Sequence, residues 1–196
     1  SNEKPMIRFI ANSIFYIFVN FQITSWVCLL APLMGQTSIR ELVNIKDILP
    51  DIELDLKYAT TDNFTGQKLY TTDECYLALG AINQLQLVQD SLRKIHLHNG
   101  INYPDGLGVK VWDGYRPRSV QYLMWEIVPD PQYVADPATG SSHNRGGAID
   151  LTLIDFATKE ELELPTAFDH FGEEAHHSYT NLPEHVIANR ELLRNL

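Results

Sequence analysis

His143 and Asp150 stand seven residues apart in SSHNRGGAIDLTL, residues 141–153. An imidazole and a carboxylate held together suit zinc, which accepts each at about 2.0 to 2.2 Å. Between them, Gly146 and Gly147 permit a tight bend through φ values that other residues avoid, and such a bend returns His143 toward Asp150. If AIDLTLID is a strand, its side chains alternate, so Ala148, Asp150 and Thr152 share one face while Ile149, Leu151 and Leu153 share the other. The apolar set goes to the core and Asp150 is left facing a cleft. The expected separation of imidazole nitrogen and carboxylate oxygen is then roughly 3 to 4 Å, as across one tetrahedral ion. The spacing alone leaves a plainer reading open, in which His143 bonds a loop carbonyl and Asp150 caps a turn.

WDGYRP, residues 112–117, offers a second functional group. Arg116 lies just past a strand and is followed by the rigid Pro117, so its backbone is restrained. A held guanidinium serves to stabilise an oxyanion or to grip a carboxylate. The structural alternative is an arginine that merely bridges Asp113 or a surface carboxylate. Tyr58 and the Asn63-Phe64-Thr65-Gly66 stretch read equally well as a strand followed by a turn.

These groups need a scaffold, and the apolar periodicity supplies one. Past the break at Pro50, Ile52, Leu54 and Leu56 alternate as a short strand. Leu77, Ala81, Leu85, Val88, Leu92 and Ile95 recur at helical steps, predicting a helix over 76–96 that the Asn99-Gly100 pair stops. Leu107, Val109 and Val111 alternate as a strand that delivers WDGYRP at its end. Further helices are expected over 119–128, ended by Pro129 and Pro131, and over 183–195. AIDLTLID is the clearest strand. Strands and helices are mixed without regular alternation, which predicts an α+β domain: a small central antiparallel sheet with flanking helices.

The 196 residues, 44% hydrophobic and 20% charged, suffice for one core. A formal net charge of -10, from 25 acidic against 15 basic residues, argues against a surface that tracks nucleic-acid phosphates. A small neutral or zwitterionic partner fits better. Cys28 and Cys75 are too few for a disulfide framework and lack the pairing of a thiolate metal site, so Cys75 reads as a small buried residue. The run FIANSIFYIFVNFQITSWVCLLAPLMG, residues 9–35, carries no charge and follows Arg8. Residues 1–35 are therefore read as an export signal ending near Gly35, giving a periplasmic or secreted protein, with a membrane anchor as the alternative. The membrane is expected to matter only through this segment, and residues 36–196 form the domain.

DLKYATTDNFTG, WDGYRP, SSHNRGGAIDLTL, the FDHF of residues 168–171 and ANRELLRNL resemble, in succession, the blocks of the VanX-type D-alanyl-D-alanine dipeptidases, within the wider zinc D,D-peptidase group. The resemblance covers about residues 41–196. It implies that fold, one zinc ion per chain, and hydrolysis of D-alanyl-D-alanine or a similar small D-dipeptide in cell-wall metabolism. It further implies His143 and Asp150 as two of three zinc ligands and Arg116 as the group stabilising the tetrahedral intermediate. Tyr58, Tyr70 and Ser141 match positions near the substrate, and Asp169 matches a carboxylate that receives the dipeptide's ammonium group. The family pattern continues past the Asn189-Arg190 helix to a Glu-Trp-Trp-His type block bearing the general base and the third ligand, a block that residues 1–196 do not contain. His170, His176, His177 and His185 are not taken as substitutes, because FGEEAHHSY resembles a family stretch whose histidines are not ligands. The expectation is a truncated enzyme, with a chain whose missing end is supplied separately, a noncatalytic peptide-binding relative or a D,D-carboxypeptidase acting on peptidoglycan stems as alternatives.

Overall fold

A computed structural model describes residues 38–196, so the apolar run at 9–35 and Cys28 lie outside the described residues. In chain order the elements are β1 (Leu42–Asn44), α1 (Ile45–Ile48), β2 (Glu53–Leu54), a 3-10 turn (Lys57–Ala59), β3 (Tyr76–Ala78) and α2 (Leu79–Leu92). The hairpin β4 (Leu97–His98) and β5 (Ile101–Asn102) follows, then β6 (Leu107–Asp113), α3 (Arg118–Ile127), β7 (Asp150–Asp155) and α4 (Glu184–Arg194). The class is α+β, as the mixed periodicities predict.

The central sheet has the order β2-β6-β7, antiparallel between β6 and β7 and parallel at its short β2 edge. Leu107, Val109 and Val111 of β6 and Leu151 and Leu153 of β7 share the main core with Ile82, Leu85 and Leu92 of α2. Alternation therefore does what the sequence predicts on this face. The apolar parity of both strands is buried under the amphipathic helix, and Asp150 and Thr152 are turned to the opposite side.

Two expectations about the α2 region need correction. The helix spans Leu79–Leu92 rather than 76–96, because Tyr76–Ala78 pair with β1, Val43 opposite Leu77. Three residues matching a helical pattern take strand geometry when a partner strand satisfies their backbone groups. Asn99-Gly100 does not stop the helix; it turns the β4–β5 hairpin, with φ of 51° and 76°. Positive φ at both central residues is what a tight hairpin needs, and Asn-Gly is the pair that supplies it. The strand expected over Ile52–Leu56 shortens to Glu53–Leu54 before the 3-10 turn. Helices α3 and α4 and strand β7 fall within a residue or two of their predicted spans.

Gly146 ends the 3-10 turn of His143–Arg145 with φ of 65°. A Cβ there would lie 2.5 Å from Leu42 Cδ2 and 2.7 Å from the Ala78 backbone nitrogen, whereas Gly147 has only a contact at 3.8 Å. Of these two glycines, backbone strain and collision add only at Gly146. Gly146→Ala is expected to destabilise the protein by about 2–4 kcal/mol in denaturant unfolding. Gly147→Ala serves as the comparison and should cost far less.

Candidate active site

Two loops are tied together before any side-chain chemistry begins. The Arg116 N–H donates to the His143 carbonyl at 3.0 Å, and Asn144 Nδ2 donates to the Arg116 carbonyl at 2.9 Å. The Tyr115 N–H donates to the Tyr76 carbonyl at 2.8 Å, which anchors the same loop to β3. Ser141 organises the His143 turn, its Oγ accepting from the His143 N–H at 3.2 Å. The segment after β6 and the segment before β7 thus form one rigid rim.

On that rim His143 Nε2 faces Asp150 Oδ1 at 3.4 Å, both residues buried. His143 Nδ1 lies 2.8 Å from the Gly114 carbonyl, which can only accept, so Nδ1 carries the proton. In the neutral ring the Nε2 lone pair then points at a carboxylate oxygen. Asp150 Oδ1 is itself a buried atom without a hydrogen bond. A cation between the two atoms, a proton or a metal ion, satisfies both. Burial disfavours the imidazolium, but Asp150 opposite outweighs it and raises the His143 pKa above its ordinary value.

The charge balance points the same way. Two buried carboxylates, Asp113 and Asp150, face each other across β6 and β7 with one guanidinium, Arg116, between them. With His143 neutral, the form that can ligate a metal, one negative charge is left over. Asp113, His143 and Asp150 place ligand atoms within 4.8 Å of one another. The donor set is imidazole plus carboxylate, with the second ring nitrogen bonded to a carbonyl, an arrangement suited to holding zinc.

Arg116 is buried, with Nε and Nη2 on Asp113 Oδ2 at 3.0 and 2.6 Å and Nη1 on Gln121 Oε1 at 3.2 Å. Its Nη2 is 3.8 Å from Asp150 Oδ2, and its guanidinium carbon is 5.1 Å from the centre of the Tyr58 ring. Burial opposes the charge, yet Asp113 holds the Arg116 pKa well above its usual value. The guanidinium is therefore permanently charged and aimed beside the His143–Asp150 pair.

The Tyr58 hydroxyl donates to Asp169 Oδ2 at 2.8 Å. Asp169 takes φ of 55°, a left-handed conformation that aspartate tolerates better than most residues. Burial pushes the Asp169 carboxyl up to about 7 against the lowering effect of the Tyr58 bond, with Asp150 and Asp113 adding repulsion. A cleft of about 700 Å³ opens here, walled by Phe64, Trp112, Thr152, Phe168 and Asp169. Neither His143 nor Asp150 lines it; Thr152, which does, shares Asp150's face of β7.

All seven residues singled out in the sequence can now be placed. Arg116, His143, Asp150, Tyr58 and Asp169 are linked by the contacts above, and Ser141 braces the His143 turn. Tyr70 is buried with its hydroxyl on Asp113 Oδ1 at 2.5 Å, so that hydroxyl is engaged by protein. Asp113 and Gln121 were missed as parts of the site; Asp113 was weighed only as a structural partner for Arg116. His170 pairs with Glu174, His177 with Glu191 and His185 with Glu163, and among the described residues none joins the His143–Asp150 cluster. No helix among the described residues is long and apolar enough to cross a membrane.

Comparison with known proteins adds an independent line. The sequence model of the peptidase M15 family, described as D-ala-D-ala dipeptidase, matches residues 38–196. The D-alanyl-D-alanine dipeptidase of Escherichia coli (strain K12) is 39% identical over 153 residues, covering 78% of this chain and 74% of that protein. The D-alanyl-D-alanine dipeptidase of Enterococcus faecalis (strain ATCC 700802 / V583) is 29% identical over 170 residues, covering 78% and 80%. That of Streptomyces coelicolor (strain ATCC BAA-471 / A3(2) / M145) is 30% identical over 173 residues.

Proposed function

Because the chain belongs to the peptidase M15 family of D-alanyl-D-alanine dipeptidases, and is therefore a peptidase, we propose that it hydrolyses free D-alanyl-D-alanine with one zinc ion, of which His143 and Asp150 supply two of the ligands. The observation that carries this reading is the buried His143 Nε2 facing the unbonded Asp150 Oδ1, with a clamped guanidinium alongside. Zinc bound there supplies Lewis-acid polarisation of a carbonyl and lowers the pKa of water. Two groups among the described residues act on the substrate itself. Arg116 meets the negative charge that develops on the scissile carbonyl oxygen, from a site where it costs no reorganisation. Asp169, steadied by the Tyr58 hydroxyl, receives the substrate ammonium in the cleft. Turnover of wall-derived dipeptide outside the cytoplasm is the setting that fits the apolar run at 9–35.

The Asp169 carboxyl gives this reading a pH signature. It must be ionised to receive an ammonium, and its pKa sits near 7. The rate at low substrate should therefore rise as pH climbs through about 7, then fall above about 8 as the dipeptide's own α-amino group loses its proton. Asp169→Asn should remove the rising limb and raise KM by about tenfold to a hundredfold, the worth of a hydrogen bond to a charged group. The test is hydrolysis of D-Ala-D-Ala against its N-acetylated form by the full-length, zinc-loaded protein. Cleavage of the free dipeptide alone supports the proposal. Equal cleavage of the acetylated peptide would favour a D,D-carboxypeptidase, and binding without cleavage a noncatalytic module.

A further inference from the structure

Asp113 stands among the possible metal ligands by distance, yet its bonding speaks against that role. Both its oxygens are engaged. Oδ2 accepts from Arg116 Nε and Nη2, at 3.0 and 2.6 Å. Oδ1 accepts from the Tyr70 hydroxyl at 2.5 Å and from the Gly114 N–H at 2.9 Å. Asp150, by contrast, keeps one oxygen without a hydrogen bond. His143 Nδ1 lies 3.5 Å from Asp113 Oδ2, but that nitrogen is already committed to the Gly114 carbonyl, and it is Nε2 that faces Asp150.

We propose that Asp113 is the positioning residue of Arg116, not a third metal ligand, and that Tyr70 locks Asp113 rather than touching substrate. This rests on the reading of Arg116 and zinc given above. A guanidinium has a planar fork, and a carboxylate accepting from Nε and Nη2 fixes its plane as well as its position. Gln121 holds the third nitrogen, and its own Nε2 is tied to the Ala135 carbonyl at 2.8 Å. Burial keeps the Tyr70 hydroxyl protonated, so it remains a donor to Oδ1. The fork is thus aimed by groups that are themselves immobilised, which is what a preorganised oxyanion donor requires.

How Asp113 reaches this place is a matter of strand register. Val111 pairs with Leu151, but Asp113, not Trp112, pairs with Asp150. The extra residue is a bulge, and it turns Asp113 out of the apolar parity of Leu107, Val109 and Val111 to the Asp150 side. An unbroken strand would bury this carboxylate against the apolar core.

The test uses the full-length protein and isosteric variants. In Asp113→Asn the Arg116 Nε–H resonance, followed by 15N NMR, should lose its protection from solvent exchange. Zinc affinity should stay within about threefold of wild type, whereas Asp150→Asn should lose about 10²-fold or more. On D-Ala-D-Ala, kcat should fall about 10²-fold with KM little changed. Adding Asp113→Asn to Arg116→Ala should cost almost nothing further, because both act through one guanidinium. Zinc affinity lost as in Asp150→Asn, or an Arg116 signal unchanged by the substitution, overturns the proposal. Should Asp113→Asn not fold, Tyr70→Phe decides: lower kcat at constant KM supports the lock, and raised KM at constant kcat makes Tyr70 a substrate contact. The NMR and zinc readouts need no turnover, so a failure of the dipeptidase reading is told apart from a failure of this one.

Discussion

Arg116→Ala in the zinc-loaded full-length protein is expected to lower kcat on D-Ala-D-Ala by about 10² to 10³ while KM moves little. A donor that acts only on charge present in the transition state leaves substrate binding nearly untouched when it is removed. The structure supports that role over a ground-state grip, because the guanidinium is buried beside Asp150 and is already oriented by Asp113 and Gln121. Raised KM with surviving kcat would assign Arg116 to the substrate carboxylate instead. Since removing one partner of a buried pair leaves the other unpaired, folding must be checked alongside turnover. Near-normal turnover in a folded, zinc-loaded variant would show that the oxyanion role is wrong here.

Metal binding should respond just as sharply to Asp150→Asn, and with an unusual sign in the metal-free protein. In the wild type, zinc at a hundred times its Kd should stabilise the fold by about 2.7 kcal/mol, visible as a rise in Tm. Asp150→Asn should abolish that rise, because the amide is a poor ligand and one charge of the site is gone. Without metal, however, Asp113 and Asp150 repel each other across β6 and β7, with Arg116 balancing only one of them. At a pH where His143 is neutral, removing the Asp150 charge should therefore leave the metal-free Tm equal to or above wild type. Thermal unfolding of both proteins, with zinc and with a chelator, reads both effects. A metal-dependent shift of wild-type size in Asp150→Asn would remove Asp150 from the ligand set.

The parts of the site legible in the sequence are those whose geometry is local. Two glycines between His143 and Asp150 announce a bend, and the structure places that bend at Gly146, where the chain takes φ of 65°. Strand alternation over 148–153 sets Asp150 opposite the core-facing Leu151 and Leu153. The α3 and α4 spans were equally readable, α3 from Pro129 and Pro131 that end it and α4 from Pro183 at its start. Where a pattern had two physical solutions, the sequence could not choose. Tyr76–Ala78 fits a helix until β1 is beside it, and Asn99-Gly100 stops a helix or turns a hairpin depending on the strands around it.

The residue order by itself determined the family blocks, the His143–Asp150 pair and the apolar faces that build the core, because these depend on neighbours within a few positions along the chain. Only the tertiary structure decided what holds Arg116. Pro117 restrains its backbone, but its side chain is set by Asp113, Gln121 and, through Asp113, by Tyr70, which is 43 residues from Asp113 along the chain. Read by parity, Asp113 belongs with Leu107, Val109 and Val111 on the core face. A bulge overturns that parity, and a bulge belongs to the register between two strands rather than to either strand alone.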